Sequence, residues 1–132
     1  MTFNPQYSVL VTDDDETCRA SLRDILEPGG YRTHLASSGI EAIEIIRQEY
    51  IHVAILDVHM PGMTGIETWK RIQEEENRRF PCVFMTGDVS YADRLQADLD
   101  ESSYVVIRKP LTRQMVIATL EMVLVRFDEL NN

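Results

Sequence analysis

Five short apolar runs alternate with stretches of helical periodicity along this chain of 132 residues. The runs are rich in β-branched and aromatic residues and have the length of strands. They cover residues 7–11, 31–36, 51–56, 82–85 and 104–107. Because strands that alternate with helices form parallel sheets, the pattern predicts an α/β fold. The C-terminal ends of all five strands should then lie along one edge of the sheet.

Start and stop patterns mark the first three helices. The first should begin near Asp14, with residues 13–16 as a capping box, and end before the Pro-Gly-Gly sequence at 28–30. Ser38 and Thr64 each precede a glutamate by three positions, which is the spacing of a capping box. The second and third helices are therefore expected to begin at these residues.

The apolar spacing within the helices predicts which faces are buried. For the second helix the expected face is Ile40, Ala42, Ile43 and Ile46. A fourth helix is expected at 91–100, where the apolar stripe is weak and several aspartates occur. The last helix, expected at 112–127, is apolar on more than one face. Contact with the sheet would not bury all of that surface, so a second partner surface is predicted.

Composition narrows the class of protein. The length fits a single domain over residues 1–132, without an output domain in this chain. With 13 Lys and Arg against 22 Asp and Glu, the net charge of -9 argues against direct binding to nucleic acid or to an anionic membrane. Cys18 and Cys82 do not have the spacing of a disulfide pair or of a metal site. Both are expected to stay reduced and to pack in the core. Since no signal peptide or membrane-spanning run is visible, the expected location is the cytoplasm.

Residues suited to phosphoryl chemistry stand where the strands end. Asp57 closes the third run and precedes a loop, and a carboxylate can attack phosphorus to form an aspartyl phosphate. An ordinary turn residue is the alternative for Asp57 alone. Thr86, at the end of the fourth strand, has a hydroxyl that can donate to a phosphoryl oxygen. Lys109, followed by Pro110, supplies a positive charge beside the fifth strand.

Acidic residues also follow the first strand, at Asp13 and Asp14. Helix capping is the alternative role for this pair. If Asp57 shares their edge of the sheet, however, like charges about 4 Å apart repel by roughly 4 kcal/mol at an effective dielectric near 20. Such a cluster requires a cation, and hard carboxylate oxygens suit Mg2+. Together with Thr86 and Lys109, the pattern indicates Mg2+-assisted phosphoryl transfer to Asp57.

Four segments, at 9–16, 55–67, 85–87 and 109–110, carry a resemblance that extends over essentially the whole chain. In sequence and order they resemble the receiver domain of two-component response regulators. The resemblance implies a flavodoxin-like, doubly wound, five-stranded parallel sheet of order 2-1-3-4-5 with five flanking helices.

The resemblance also implies roles for the residues at the strand ends. Asp57 would be the phosphoacceptor, and Thr86 and Lys109 would bind the phosphoryl group. Asp13 and Asp14 would hold Mg2+, mainly through Asp14. The backbone carbonyl of His59 would join the metal coordination.

Receivers of this family take the phosphoryl group from a histidine kinase or a histidine phosphotransfer protein. They catalyse their own phosphorylation and often their own dephosphorylation, and are not conventional enzymes. On phosphorylation the threonine, here Thr86, swings inward and an aromatic side chain on the fifth strand follows. This reshapes the fourth helix, fifth strand and fifth helix, the surface expected to contact a second copy or an output partner. The family's aromatic position is Val106 here, whereas Tyr104 lies two residues earlier on the same face.

His59 and Asp88 stand two residues after Asp57 and Thr86, where the family's attacking water approaches. We hypothesise that they tune the lifetime of the phosphoryl group. Their alternative role is that of solvated loop residues.

Three other functions use residues of similar chemistry. A phosphatase of the haloacid-dehalogenase type needs a second acid two residues after the nucleophile, and His59 stands there. A dinucleotide-binding fold needs a Gly-rich turn after the first strand, which this chain lacks. A phosphate-independent pseudo-receiver, acting only as an interaction module, is the stronger alternative because Val106 replaces the switch aromatic.

Overall fold

A computed structural model describes residues 6–88, Ser90 and residues 104–131. The elements in chain order are β1 (Ser8–Thr12), α1 (Glu16–Leu26), β2 (Arg32–Ala36), α2 (Gly39–Gln48), β3 (Val53–Asp57), α3 (Gly65–Glu76), β4 (Cys82–Thr86), β5 (Tyr104–Arg108) and α4 (Arg113–Asn131). All five predicted strands are confirmed, with ends that shift by one or two residues. The helix expected at 91–100 lies outside the described residues.

The five strands pair in parallel in the order β2-β1-β3-β4-β5. The flavodoxin-like topology is therefore confirmed. This order makes β1 and β3 neighbours at the centre of the sheet, with Thr12 paired to Leu56. The residues that follow, Asp13 and Asp57, consequently emerge side by side at the C-terminal edge. On the other side of β3, Asp57 pairs with Met85.

Alternation along the strands divides the core into two layers. Leu10, Leu56 and Phe84 face the cluster that includes the buried sides of α2 and α3. Val11 and Ile55 face the opposite cluster, which includes α1 and α4. Since both faces of the sheet are covered, the strands are apolar throughout, as expected for a doubly wound sheet.

Two of the predicted helix starts are confirmed. Thr64 forms a complete capping box with Glu67, in which each side chain bonds the other residue's backbone amide. Ser38 caps α2 by accepting from the amide of Glu41 at 3.2 Å. The Glu41 carboxylate, however, accepts from the hydroxyl of Ser37 and leaves that box half formed.

The predicted capping box at 13–16 is wrong. Asp15 caps α1, and its side chain accepts from the amide of Thr17 at 2.9 Å. Asp13 stays with the sheet because its amide donates to the carbonyl of Ala36 at 3.1 Å. The Asp13 side chain accepts from the amide of Asp15 at 2.9 Å and so shapes the turn that precedes the helix.

The buried face predicted for the second helix, α2, is confirmed with one exception. Ala42, Ile43 and Ile46 are buried, but Ile40 is 63% exposed because it lies on the first turn of α2, away from the face that meets the core. The expectation for Ile40 is therefore wrong.

No helix within residues 6–88 and 104–131 is long and apolar enough to span a membrane.

The last helix, α4, has two apolar faces, as predicted. One is buried and consists of Val116, Leu120, Val123 and Leu124. On the other, Met122 is 44% exposed and Val125 is 59% exposed.

Candidate functional site

Three carboxylates converge where β1 and β3 end. Asp13, Asp14 and Asp57 each place a carboxylate oxygen within 4.8 Å of the others. Asp13 and Asp57 are buried and Asp14 is exposed. The strand order explains this arrangement, because the loops after neighbouring parallel strands leave the sheet together. The acids that the sequence analysis assigned to a metal site are thus brought together.

Lys109 lies between the two buried acids. Its ammonium nitrogen is 3.1 Å from Oδ2 of Asp13 and 3.1 Å from Oδ2 of Asp57. The backbone amide of Lys109 donates to the carbonyl of Thr86 at 2.9 Å, which anchors the loop after β5 to the end of β4. The peptide bond between Lys109 and Pro110 is cis.

The surroundings shift the acid–base properties of these groups in different directions. Burial and the negative charge of Asp13 raise the pKa of Asp57, and hydrogen bonds from the His59 amide and Lys109 only partly offset this. Burial would also raise the pKa of Asp13, but hydrogen bonds from Cys18, the Asp15 amide and Lys109 lower it overall. Of the two buried acids, Asp13 is therefore the more firmly ionised, and the negative charge of Asp57 is the less stabilised.

Burial alone would lower the pKa of Lys109, but hydrogen bonds and attraction from Asp13 and Asp57 raise it overall. Lys109 therefore remains an ammonium at neutral pH. A single lysine cannot neutralise three carboxylates, so the cluster keeps two uncompensated negative charges when all three acids are ionised. Clustered carboxylate oxygens with excess negative charge are the donor set that a hard divalent cation takes.

The loop residues at the site bond back to it through their amides. The amide of His59 donates to Oδ1 of Asp57 at 3.1 Å. The amide of Asp88 donates to the hydroxyl oxygen of Thr86 at 3.0 Å. Thr86 is buried at the end of β4, whereas His59 and Asp88 are exposed. Both candidate rate-tuning residues are therefore exposed and are joined to the site through their backbone amides.

Tyr104 is not brought to this edge of the sheet. It begins β5, where it pairs with Cys82, while Thr86 pairs with Arg108 at the other end of the same ladder. The Tyr104 ring is 3% exposed and forms edge contacts with the rings of Trp69 and Phe84, at centroid distances of 5.8 and 5.7 Å. Val106 is half-buried against the same core cluster, which confirms that it shares a face with Tyr104.

Three residues at the site were missed by the sequence analysis. The guanidinium of Arg19 donates to the carbonyl of Asp13 at 2.6 Å. The thiol of Cys18 lies beside the Asp13 carboxylate, and each group shifts the pKa of the other. Gly65 lies against the backbone of Asp57. Asp13 precedes the helix that carries Cys18 and Arg19, so the regular spacing of residues on a helix face gave no signal for the first two.

Comparison with known proteins agrees with this geometry. A family model described as "Response regulator receiver domain" matches residues 9–121. Response regulator MprA of Mycobacterium ulcerans (strain Agy99) is 32% identical over 118 residues, which cover 89% of this chain and 50% of that protein. The chain thus spans about half the length of the curated relatives it matches.

Solved structures of a chemotaxis protein and of a response regulator receiver domain protein are also similar to this chain. The chemotaxis protein CheY4 of Vibrio cholerae superimposes with a TM-score of 0.82 at 28% identity, over 89% of this chain and 98% of that one. A response regulator receiver domain protein from Clostridium thermocellum gives a TM-score of 0.81 at 25% identity, over 94% of this chain and 98% of that one.

Proposed function

Because the chain belongs to the response regulator receiver family and so serves two-component signalling, we propose that Asp57 is its phosphoacceptor. One observation carries the assignment. Asp57 is the carboxylate at the end of the central strand, only 6% exposed, and it is held by the His59 amide and Lys109 beside two further acids. The raised pKa of Asp57 supports this role, because a carboxylate whose negative charge is poorly stabilised is favoured to react with an electrophilic phosphorus.

In the proposed transfer, an oxygen of Asp57 forms a bond to phosphorus as the bond from phosphorus to the donor atom breaks. The donor keeps that electron pair. The Lys109 ammonium would release a carboxylate oxygen and donate to a phosphoryl oxygen instead. It would thereby stabilise the negative charge on the transferred group. The Thr86 hydroxyl, at the neighbouring strand end, would donate to another phosphoryl oxygen.

The acid cluster fits Mg2+. Asp13, Asp14 and Asp57 supply hard oxygen donors with uncompensated charge, and exposed Asp14 leaves room for coordinated water. The carbonyl of His59 is a further ligand by family resemblance. When bound, Mg2+ would neutralise negative charge on the transferring phosphoryl group.

We propose that the phosphoryl donor is a histidine kinase or a histidine phosphotransfer protein. The receiver would catalyse both the transfer and the later hydrolysis, without being a conventional enzyme. His59 and Asp88, at the exposed border of the site, would orient or obstruct the attacking water. An unchanged dephosphorylation rate after both are replaced by alanine would contradict this role.

The principal test is the intact mass of the protein after incubation with acetyl phosphate, with and without Mg2+. We expect one Mg2+-dependent phosphoryl adduct that is absent from Asp57→Asn. The matched control, Asp24→Asn, removes an exposed carboxylate from α1 and should keep the adduct. A native chain that forms no adduct with acetyl phosphate is either a pseudo-receiver or a receiver that accepts phosphate only from its own kinase, and the absence of transfer from that phosphorylated kinase would identify a pseudo-receiver.

We also propose that the exposed face of α4 contacts a second copy of the chain. Ala118, Glu121, Met122, Val125 and Arg126 line a shallow groove along this face. In an antiparallel pair of such helices, Met122 would meet Val125 while Glu121 would meet Arg126, so the face complements itself in both shape and charge.

Sedimentation of phosphorylated protein over a range of concentrations tests this surface. Met122→Lys should abolish the dimer, whereas Ile40→Lys alters an exposed apolar residue on a different helix and should preserve it. A phosphorylated native chain that stays monomeric at high concentration would exclude the proposal.

A further inference from the structure

Arg19 reaches from the first turns of α1 back to the loop that carries the acids. Its Nη1 donates to the carbonyl oxygen of Asp13 at 2.6 Å. Arg19 is half-buried and Asp13 is fully buried, so bulk water has little access to this carbonyl. A buried carbonyl without a donor is unfavourable, and the guanidinium supplies that donor.

The backbone of this loop cannot satisfy the same carbonyl. The last bond of the loop to the sheet uses the amide of Asp13 and the carbonyl of Ala36. The first bond of the helix runs from the Arg19 amide to the carbonyl of Asp15 at 3.1 Å. The Asp13 carbonyl lies between these two ladders, where the side chain of Arg19 takes the place of a backbone donor.

Asp13 is consequently fixed at every polar group. Its amide is held by Ala36, and its two carboxylate oxygens are held by the Asp15 amide and by Lys109. With the carbonyl held by Arg19, the peptide that joins Asp13 to Asp14 has one orientation. That peptide determines where the exposed carboxylate of Asp14 begins.

We propose that Arg19 is a positioning residue for the metal site: by holding the Asp13 carbonyl it sets the Asp13–Asp14 peptide and keeps the Asp14 carboxylate in the acid cluster. The inference rests on the proposed function, because it concerns the same three acids. It assigns to Arg19 no contact with the metal or with the phosphoryl group.

The charge of Arg19 and its hydrogen bond have opposite consequences for Mg2+. A positive charge near the cluster repels a cation, so an arginine acting only by charge would weaken Mg2+ binding, and its removal would tighten it. An arginine that positions Asp14 would strengthen binding, and its removal would weaken it. Position 19 lies near the positive end of the α1 dipole, where a cation gains nothing for helix stability.

The test compares Mg2+ affinity by calorimetry, with MgCl2 as the only ligand, in the native chain and three variants. In Arg19→Met and in Arg19→Lys, which retains the charge, the dissociation constant should rise about tenfold, as for other outer-sphere contacts. The matched control is Arg23→Met, which removes the same charge one turn later on α1, where Arg23 bonds only an exposed neighbour in the described structure. Its affinity should stay within about twofold of the native value.

A second readout needs neither metal nor phosphoryl group. In EDTA, amide hydrogen exchange at Asp15, whose amide donates to Asp13, should be faster in both Arg19 variants and unchanged in Arg23→Met. Tighter Mg2+ binding in Arg19→Met, or unchanged exchange in both Arg19 variants, would overturn the inference. If Arg19→Met does not fold, Arg19→Lys still tests the inference, because an arginine that acts only by its charge predicts an unchanged dissociation constant in this variant.

These measurements separate the inference from the proposed function. A native chain that binds Mg2+ but takes no phosphoryl group would refute Asp57 as acceptor and leave the Arg19 comparison intact. A native chain that binds no Mg2+ would refute the metal site, and exchange at Asp15 would still decide whether Arg19 orders the loop.

Discussion

Gly65 lies so close to Asp57 that a Cβ atom at Gly65 would be 2.2 Å from the Asp57 carbonyl oxygen. The amide of Gly65 donates to the carbonyl of Val58 at 3.0 Å, so the start of α3 packs directly on the strand end that carries the candidate acceptor. A side chain at this position must push the helix away from the site.

Gly65→Ala should therefore lower the free energy of unfolding by about 1–3 kcal/mol, the usual effect of overpacking. Urea denaturation followed by Trp69 fluorescence measures this. In the control, Gly87→Ala, the new methyl group meets no described atom within 4 Å, and the change should stay within about 0.5 kcal/mol. Equal effects of the two substitutions would contradict the close approach.

Asp57→Asn should make the metal-free protein more stable at neutral pH. Because the pKa of Asp57 is raised in the fold above its usual value of 3.8, the folded state binds this proton more tightly than the unfolded state. The stability that protonated Asp57 contributes to the fold is therefore complete below pH 3.8. It is lost as the pH rises through the raised pKa of Asp57. Urea unfolding in EDTA across this range should show the advantage of asparagine at pH 7 and its disappearance in acid.

Lys109→Met should weaken the fold in EDTA and tighten Mg2+ binding. The substitution leaves Asp13 and Asp57 without their shared counter-charge, and the free energy of unfolding should fall by about 1–3 kcal/mol. A bound cation would then replace the lost charge. Unfolding with and without saturating MgCl2 measures both effects, and Lys70→Met, on the exposed side of α3, is the control. A variant that Mg2+ stabilises no more than the native chain would be contrary evidence.

Phosphorylation should change the emission of Trp69 if Tyr104 responds to the site. Trp69 is the chain's single tryptophan, and its ring centroid lies 5.8 Å from that of Tyr104. Tyr104→Leu should abolish the change, while Tyr50→Leu, at a 71% exposed position, should preserve it. Constant emission in a fully phosphorylated native chain would leave Val106 and the loop after Thr86 to transmit the switch.

Cys18 should resist alkylation in the folded protein. Burial and the neighbouring Asp13 carboxylate raise the pKa of this thiol from 9.0 to about 12. Thiolate is then about a thousandfold rarer at pH 8 than at an unperturbed cysteine, and the thiolate is the reactive form. Mass spectrometry after iodoacetamide treatment should show slow modification, which Asp13→Asn accelerates at Cys18 but not at Cys82. Rapid labelling of native Cys18 would contradict this environment.

The convergence of the site was predictable because it depends on strand ends and on one topological rule. Once β1 and β3 are neighbours, Asp13 and Asp57 must emerge together. The cap of α1 was not predictable, because Asp13, Asp14 and Asp15 are all suitable cap residues. The bond from the Asp13 amide to Ala36 decides among them, and it forms only after β2 has joined the sheet.

Contacts with backbone carbonyls were also invisible in the sequence. The Arg19 side chain donates to the backbone carbonyl of Asp13, and Gly65 lies against the backbone carbonyl of Asp57. Hydrophobic periodicity and side-chain chemistry describe side chains, so neither contact leaves a trace in such patterns. The exposure of Ile40 was missed for a related reason. Ile40 lies on the first turn of α2, and periodicity does not show whether other elements pack against that turn.

The ammonium of Lys109 joins Asp13, which is 96 positions away in the chain, to Asp57, which is 52 positions away. Asp57 therefore acquires its contact with this lysine only after the last strand, β5, has joined the sheet. A partly unfolded molecule would carry Asp57 without this lysine, and under the proposed function it would accept no phosphoryl group. On that proposal, completion of folding is a condition for phosphorylation, so unfolded copies of the chain would take no part in phosphoryl transfer.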